Sequence, residues 1–161
     1  MTALKASFPP LVYTDTNILI LGSLPGEASL AAQEYYAYPQ NRFWKTIAAV
    51  TRESAPSCYD EKKRMLQKHR IGLWDLAKTA RREGSLDSNM TDETVNDIDR
   101  LLQSFPQIHT VAFNGKKAQV LFDKNFNRNS GIRYLALPST SPANAGFSFE
   151  KLCEAWQKII G

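Results

Sequence analysis

Apolar residues along this chain come in short runs that close on turn formers, separated by stretches in which they recur every three or four positions. Residues 17–21 (NILIL) run into Gly22, residues 109–113 (HTVAF) into Asn114-Gly115, and residues 132–137 (IRYLAL) into Pro138-Ser139. None alternates strictly, the pattern of strands covered on both faces in a parallel sheet. Residues 71–76 (IGLWDL) form a fourth, weaker candidate. Helical spacing falls between the runs. Residues 42–50 place Phe43, Trp44 and Ile47 on one face, and residues 60–69 follow Asp60 as a cap and are mostly charged. From Thr91, read as an N-cap, Val95, Ile98, Leu101 and Leu102 recur until Pro106 ends the pattern. Residues 116–124 group Ala118, Leu121 and Phe122. Ser148 caps a last helix with Phe149, Leu152, Cys153, Trp156, Ile159 and Ile160 as its buried stripe.

Strands alternating with helices imply right-handed crossovers and a parallel sheet covered on both sides, an α/β architecture. The 161 residues suffice for one well-filled core, so residues 1–161 read as a single domain. A hydrophobic content of 43%, with 8 Gly and 8 Pro, excludes disorder and collagen-like repeats. No apolar run approaches the roughly 20 residues of a membrane span, and residues 1–17 carry no export signal. Cys58 and Cys153 stand in no metal-ligand spacing. The expectation is a reduced, cytoplasmic protein, monomeric and away from membranes, with neither metal nor cofactor.

Charge adds a hint through its distribution. The 20 Lys and Arg exceed the 16 Asp and Glu only slightly, for a net charge of +4. Residues 60–82 and 116–133 are basic, however, whereas residues 83–99 carry Glu83, Asp87, Asp92, Glu93, Asp97 and Asp99 and no base. Segregated signs of this kind orient a polyanion.

In an open parallel sheet, ligands sit outside the carboxyl ends of the strands. The loops there are residues 22–41, 74–79, 114–117 and 138–146. The first is far longer than the usual two to six residues, and it combines Gly22 and Gly26 with Tyr35, Tyr36, Tyr38 and Asn41. Its tyrosines fit either a flat ligand or lid packing, and Asn41 fits either a ligand amide or a helix cap. The last loop offers Ser139, Thr140 and Ser141 between two prolines, hydroxyls suited to gripping phosphate. P-loop, GxGxxG and GxSxG motifs are all missing, which removes nucleotide-cradle and Ser-His-Asp readings.

GSLPG (residues 22–26), YYAYPQNRFW (35–44) and LPSTSPAN (137–144), in that order, resemble the motifs of the uracil-DNA glycosylase superfamily, and within it the hypoxanthine (deoxyinosine) DNA glycosylases. The resemblance spans residues 17–156. It implies a three-layer α/β/α sandwich over a four-stranded parallel sheet, and an enzyme that acts on DNA and hydrolyses the N-glycosidic bond of a deaminated base. In the mismatch-specific branches of the superfamily, the position of Leu24 holds an Asn that orients water; the resemblance passes that catalytic role to Asn41. It makes Tyr36 the ring on which the extruded base stacks, and puts Asp75 and the motif residues Ser23, Leu24, Pro25 and Gly26 around the base. Ser139, Thr140, Ser141, Ala143, Asn144 and Lys116 become the DNA contacts, with the loop at Asn144 entering the duplex. Leu137 stands where the strongest uracil enzymes have His, which points away from efficient uracil hydrolysis. The other readings are a uracil or mismatch glycosylase of the same fold and a catalytically weak DNA-binding relative.

Base excision requires the target to leave the stack, which is least costly where pairing is already weak. An ionised Asp75 accepts hydrogen bonds only, so it would favour the N1–H of hypoxanthine over the bare N1 of adenine. The competing reading pairs Asp75 with Lys78 or Arg81.

Overall fold

The computed structural model describes residues 2–161, with Met1 outside the described residues. The chain runs β1 (Leu4–Ala6), β2 (Ile18–Gly22), α1 (Glu27–Ala32), α2 (Phe43–Val50), α3 (Tyr59–Lys68), β3 (Ile71–Asp75), β4 (Ala77–Arg81), β5 (Thr91–Val95), α4 (Ile98–Ser104), β6 (Thr110–Asn114), α5 (Lys116–Asn125), β7 (Arg133–Leu137) and α6 (Phe149–Trp156). Four strands form a parallel sheet in the order β3-β2-β6-β7. All four of the expected strands are present, with ends within two residues of the reading.

The core explains why those runs do not alternate. Ile18 and Ile20 of β2 face one apolar layer with Phe43, Trp44, Ile47, Leu66, Leu152 and Trp156, supplied by α2, α3 and α6. Leu19 and Leu21 face the other with Ile98, Leu101, Ala118, Leu121 and Phe122, supplied by α4 and α5. A central strand buried on both sides has no polar face to show. The result is the expected α/β/α sandwich.

A second sheet escaped the sequence reading. The strands β1, β4 and β5 form a three-stranded antiparallel sheet, in the order β1-β4-β5. It takes in residues 77–79, expected as loop, and Thr91–Val95, expected as the start of a helix. Two threonines and a valine in five residues suit a strand, and the helix starts later, where the side chain of Asp97 accepts the Arg100 amide at 3.1 Å. Two other caps differ in outcome. Cys58, not Asp60, precedes α3; Ser148 does cap α6, accepting from the Lys151 amide. The stripe of α6 is narrower than its spacing implies. Phe149 lies exposed beneath the Lys45 ammonium, 4.6 Å from its ring centre, and Ile160 is exposed.

Trp156 ties the last helix to the site end of the sheet: its ring is fully buried and its Nε1 donates to the Pro138 carbonyl at 2.9 Å. Trp156→Ala should therefore cost about 3–5 kcal/mol in denaturant unfolding, and an unchanged midpoint would refute this account of the anchor.

Candidate active site

The carboxyl ends of the parallel strands bring Asp75, Gly22, Asn114 and Leu137 into one row, since Gly22 pairs in register with Asp75 and Asn114 with Leu137. Gly22 is the hinge of the site. A Cβ there would lie 2.6 Å from Asp75 Oδ1 and 3.0 Å from the Tyr36 hydroxyl, so the carboxyl and the phenol share the space above the glycine.

Tyr36 is held by its neighbours. The Tyr35 carbonyl accepts from Trp44 Nε1 at 3.0 Å, the Tyr35 hydroxyl donates to Pro9 O at 2.9 Å, and the Ala37 amide donates to Ser29 Oγ at 3.0 Å. With both flanks fixed, Tyr36 takes a left-handed φ of 52°, a costly conformation for a bulky residue and one that clusters at functional sites. One face of its ring stacks on Phe43 at 4.0 Å, and the residue is half-buried, not sealed in. Burial first, then the Asp75 charge, push the hydroxyl above the ordinary tyrosine range, so it remains a donor.

Asn41 stands one residue before Arg42, the N-cap of α2, and is a candidate ligand. Its Oδ1 accepts the Phe43 amide at 2.9 Å, which fixes which end of the amide is oxygen and leaves Nδ2 without an acceptor among the described residues. The next residue, unassigned by the sequence reading, is a strut. The Arg42 amide donates to Thr140 O at 3.0 Å, and its guanidinium donates to the carbonyls of Phe147 and Asn144. One arginine thus joins the Asn41 segment to the last loop. No motif marks it, because its partners are backbone carbonyls.

In that last loop, Ser139 Oγ accepts the Ser141 amide and Ser141 Oγ accepts the Ala143 amide, which leaves both hydroxyl hydrogens without an acceptor among the described residues. Thr140 corrects its expected role as a DNA contact. It is fully buried, donating its amide to Asn114 Oδ1 at 3.0 Å and accepting Asn114 Nδ2 on its hydroxyl at 3.1 Å. Asn144 is half-exposed, its Nδ2 donating to Ser139 O at 3.1 Å, and lies between the exposed Pro142-Ala143 and Ala145-Gly146. Lys116 is exposed at the first position of α5, where Gly115 at φ 95° packs against Ser139. A cation at a helix N-terminus opposes the helix dipole, a cost that a bound phosphate offsets.

The first motif is spent mostly on the hairpin beside it. Ser23 Oγ donates to Asp87 at 2.6 Å, Pro25 O accepts from Arg82 at 2.6 Å, and Gly26 lies against Ser85. Leu24 is buried in the core layer of Leu19 and Leu21. Of these four, the side chains of Ser23 and Leu24 are thus unavailable to a base, a second correction. Arg82, itself 1% exposed, also reaches the Gly84 carbonyl and Asp87.

Asp75 is 4% exposed, and its Oδ2 is fully buried with no hydrogen-bond partner among the described residues. Neither cation offered by the sequence reading pairs with it: Lys78 is exposed and Arg81 bonds Asp92 and Thr2 O. Burial, then the like charge of Asp87, push the Asp75 carboxyl up to about 7 against the pull of the Arg82 guanidinium. The expectation of a fully ionised Asp75 is therefore replaced by a carboxyl that holds its proton close to neutrality.

With this geometry in view, the comparisons are consistent. The family description of the uracil DNA glycosylase superfamily matches residues 9–160. A hypoxanthine DNA glycosylase of Methanosarcina acetivorans is 38% identical over 158 residues, covering 98% of each chain. A hypoxanthine DNA glycosylase of Methanosarcina barkeri is 40% identical over 115 residues, 71% of this chain and 73% of that one. The solution NMR structure of a Methanosarcina acetivorans protein assigned to the uracil DNA glycosylases superposes with a TM-score of 0.81 at 35% identity, over 99% of this chain and 100% of that one. The chain belongs to the uracil DNA glycosylase superfamily.

The raised Asp75 value sets a sign for stability. A carboxyl whose folded value lies above its unfolded one stabilises fully below about pH 4, and that contribution drains away as pH climbs through about 7. Over that window the wild-type protein should lose roughly 2–4 kcal/mol that Asp75→Asn retains. Urea unfolding at a series of pH values reads the difference; parallel curves for the two proteins would place the titration elsewhere.

Proposed function

We propose that the protein is a DNA glycosylase that takes a deaminated base, hypoxanthine in the first instance, out of the duplex and hydrolyses its N-glycosidic bond, leaving an abasic site. Family membership and two relatives named hypoxanthine DNA glycosylase support this reading. The observation that carries it is the Asn41 amide, clamped through Oδ1 with Nδ2 unengaged among the described residues, in a segment that Arg42 and Thr140 tie to the serine loop. No helix among the described residues is long and apolar enough to cross a membrane. Cys58 and Cys153 are both free thiols, in keeping with a cytoplasmic protein, and we read it as working as a monomer.

The N-glycosidic bond breaks through a cation-like sugar, so catalysis needs a positioned water and relief of the charge gathering on the leaving base. Asn41 Nδ2 donates to that charge, or Oδ1 accepts from the attacking water through its second lone pair. The hydroxyls of Ser139 and Ser141 and the Lys116 ammonium hold phosphates, while the Pro142-Ala143 tip enters the space the base leaves. The ring face of Tyr36 turned away from Phe43 takes the base. Ser23, Leu24, Pro25 and Gly26 contribute backbone and shape, and Thr140 and Asn144 shape the DNA-facing loop.

Asn41→Ala should lower single-turnover release of hypoxanthine about 10²–10³-fold with duplex binding changed only a few fold; full activity in that variant would remove the catalytic assignment. Tyr36→Ala should weaken binding to a duplex carrying a non-cleavable hypoxanthine nucleotide by about 1–3 kcal/mol. Binding to undamaged duplex should hardly move, and equal loss on both would mark the ring as structural only.

A further inference from the structure

Deamination makes the same exchange on every base it attacks: an exocyclic amino group, a donor, becomes a carbonyl oxygen, an acceptor. We propose that Asp75 reads this exchange directly, its Oδ2 carrying a proton and donating it in a hydrogen bond to the carbonyl oxygen of the extruded base. The proposal rests on the glycosylase reading and makes Asp75 the specificity residue of that site, telling the C6 carbonyl of hypoxanthine from the C6 amino group of adenine. An amino group in the same place would set donor against donor and leave both unpaired, a strong basis for rejection.

Three observations on geometry support it. Asp75 closes β3 beside Gly22 at the carboxyl edge of the sheet, where the fold presents ligands. Its Oδ2 is buried with no partner among the described residues, an exception among buried polar atoms that an incoming base would resolve. Asp75 Oδ1 and the Tyr36 hydroxyl both border the space above Gly22, which sets the carboxyl beside the ring that takes the base.

The charged and titratable groups that reach Asp75 are Tyr35 and Tyr36 from the loop after β2, Asp87 from the turn before β5, and Arg82 after β4. Both tyrosines remain neutral through the working range, while Asp87 and Arg82 oppose one another, and burial decides. An apolar site that keeps a carboxylic acid neutral turns it into a donor. The same bond grows stronger as negative charge spreads onto the base oxygen during cleavage, so recognition also assists departure.

The test compares the wild-type protein with Asp75→Asn, which donates through an amide at every pH, and Asp75→Leu, which cannot donate. Single-turnover release is measured from pH 5.5 to 9 on duplexes carrying hypoxanthine or unsubstituted purine, which lacks the oxygen. Wild-type release of hypoxanthine should fall about tenfold per pH unit above about 7, while Asp75→Asn gives a level profile and Asp75→Leu falls about 10²-fold. Purine should show no such fall with any of the three proteins. A wild-type profile that is level or rises with pH, or the same fall in Asp75→Asn, would overturn the proposal. Affinity for a duplex with a 2′-fluoroarabino hypoxanthine nucleotide gives a readout that needs no cleavage. It should weaken above pH 7 for the wild type alone, relative to undamaged duplex, and pH-independent affinity would count against the Asp75 donor. Weakening affinity with no release from any duplex would instead sustain the Asp75 donor and refute the glycosylase activity.

Discussion

Nothing larger than hydrogen fits on residue 22. The end of the central strand has to leave room for a carboxyl from the neighbouring strand and a phenol from the following loop, and both occupy the volume a Cβ would claim. This steric condition draws Asp75 and Tyr36 together, shields the carboxyl from water and so sets its titration near neutrality. It also fixes the hand of the Tyr36 backbone, since the ring reaches over the glycine from a left-handed φ with Phe43 against its other side. Packing, protonation and strain at the site descend from one missing side chain.

The long first loop would be floppy without a partner. Arg82 supplies one by burying its guanidinium against the Pro25 carbonyl, the Gly84 carbonyl and Asp87. Removing a guanidinium from water costs several kcal/mol unless its donors are met, and here the acceptors belong to the segments that need restraint. The antiparallel sheet is the frame for this clasp. On the opposite side Arg42 plays the corresponding part for the last loop, again through carbonyls. The two arginines thus restrain the loops on either side of the site through backbone carbonyls.

Asn41 bonds the first amide of α2 through its oxygen and still has its nitrogen to offer. An amide whose oxygen is committed to the Phe43 N–H has lost its freedom to rotate, and its nitrogen is thereby aimed. The preorganisation that electrostatic catalysis depends on comes here at the cost of one hydrogen bond at the start of α2. In the serine loop the same economy appears, with each hydroxyl oxygen fixed by a backbone amide and each hydrogen left over.

The four parallel strands were legible in residues 17–21, 71–76, 109–113 and 132–137 because two-sided burial forces an apolar run that no loop would carry. Residues 22–41, read as one long loop, contain the helix α1 at Glu27–Ala32, too short a segment to show a helical period in the sequence. Thr91–Val95 was misread because a half-exposed edge strand and an amphipathic helix share spacings over five residues, and only pairing with β4 separates them. Thr140 could not be told from Ser139 and Ser141 by type, since direction within a loop depends on which distant partner, here Asn114, stands within reach. Sequence alone therefore determined the layers and which segments meet at the site, through burial patterns that are local and periodic. The tertiary structure decided which side chains stay available at the site, which serve as struts, and that burial and Asp87 push the Asp75 carboxyl up to about 7, because those depend on which segments the fold brings together.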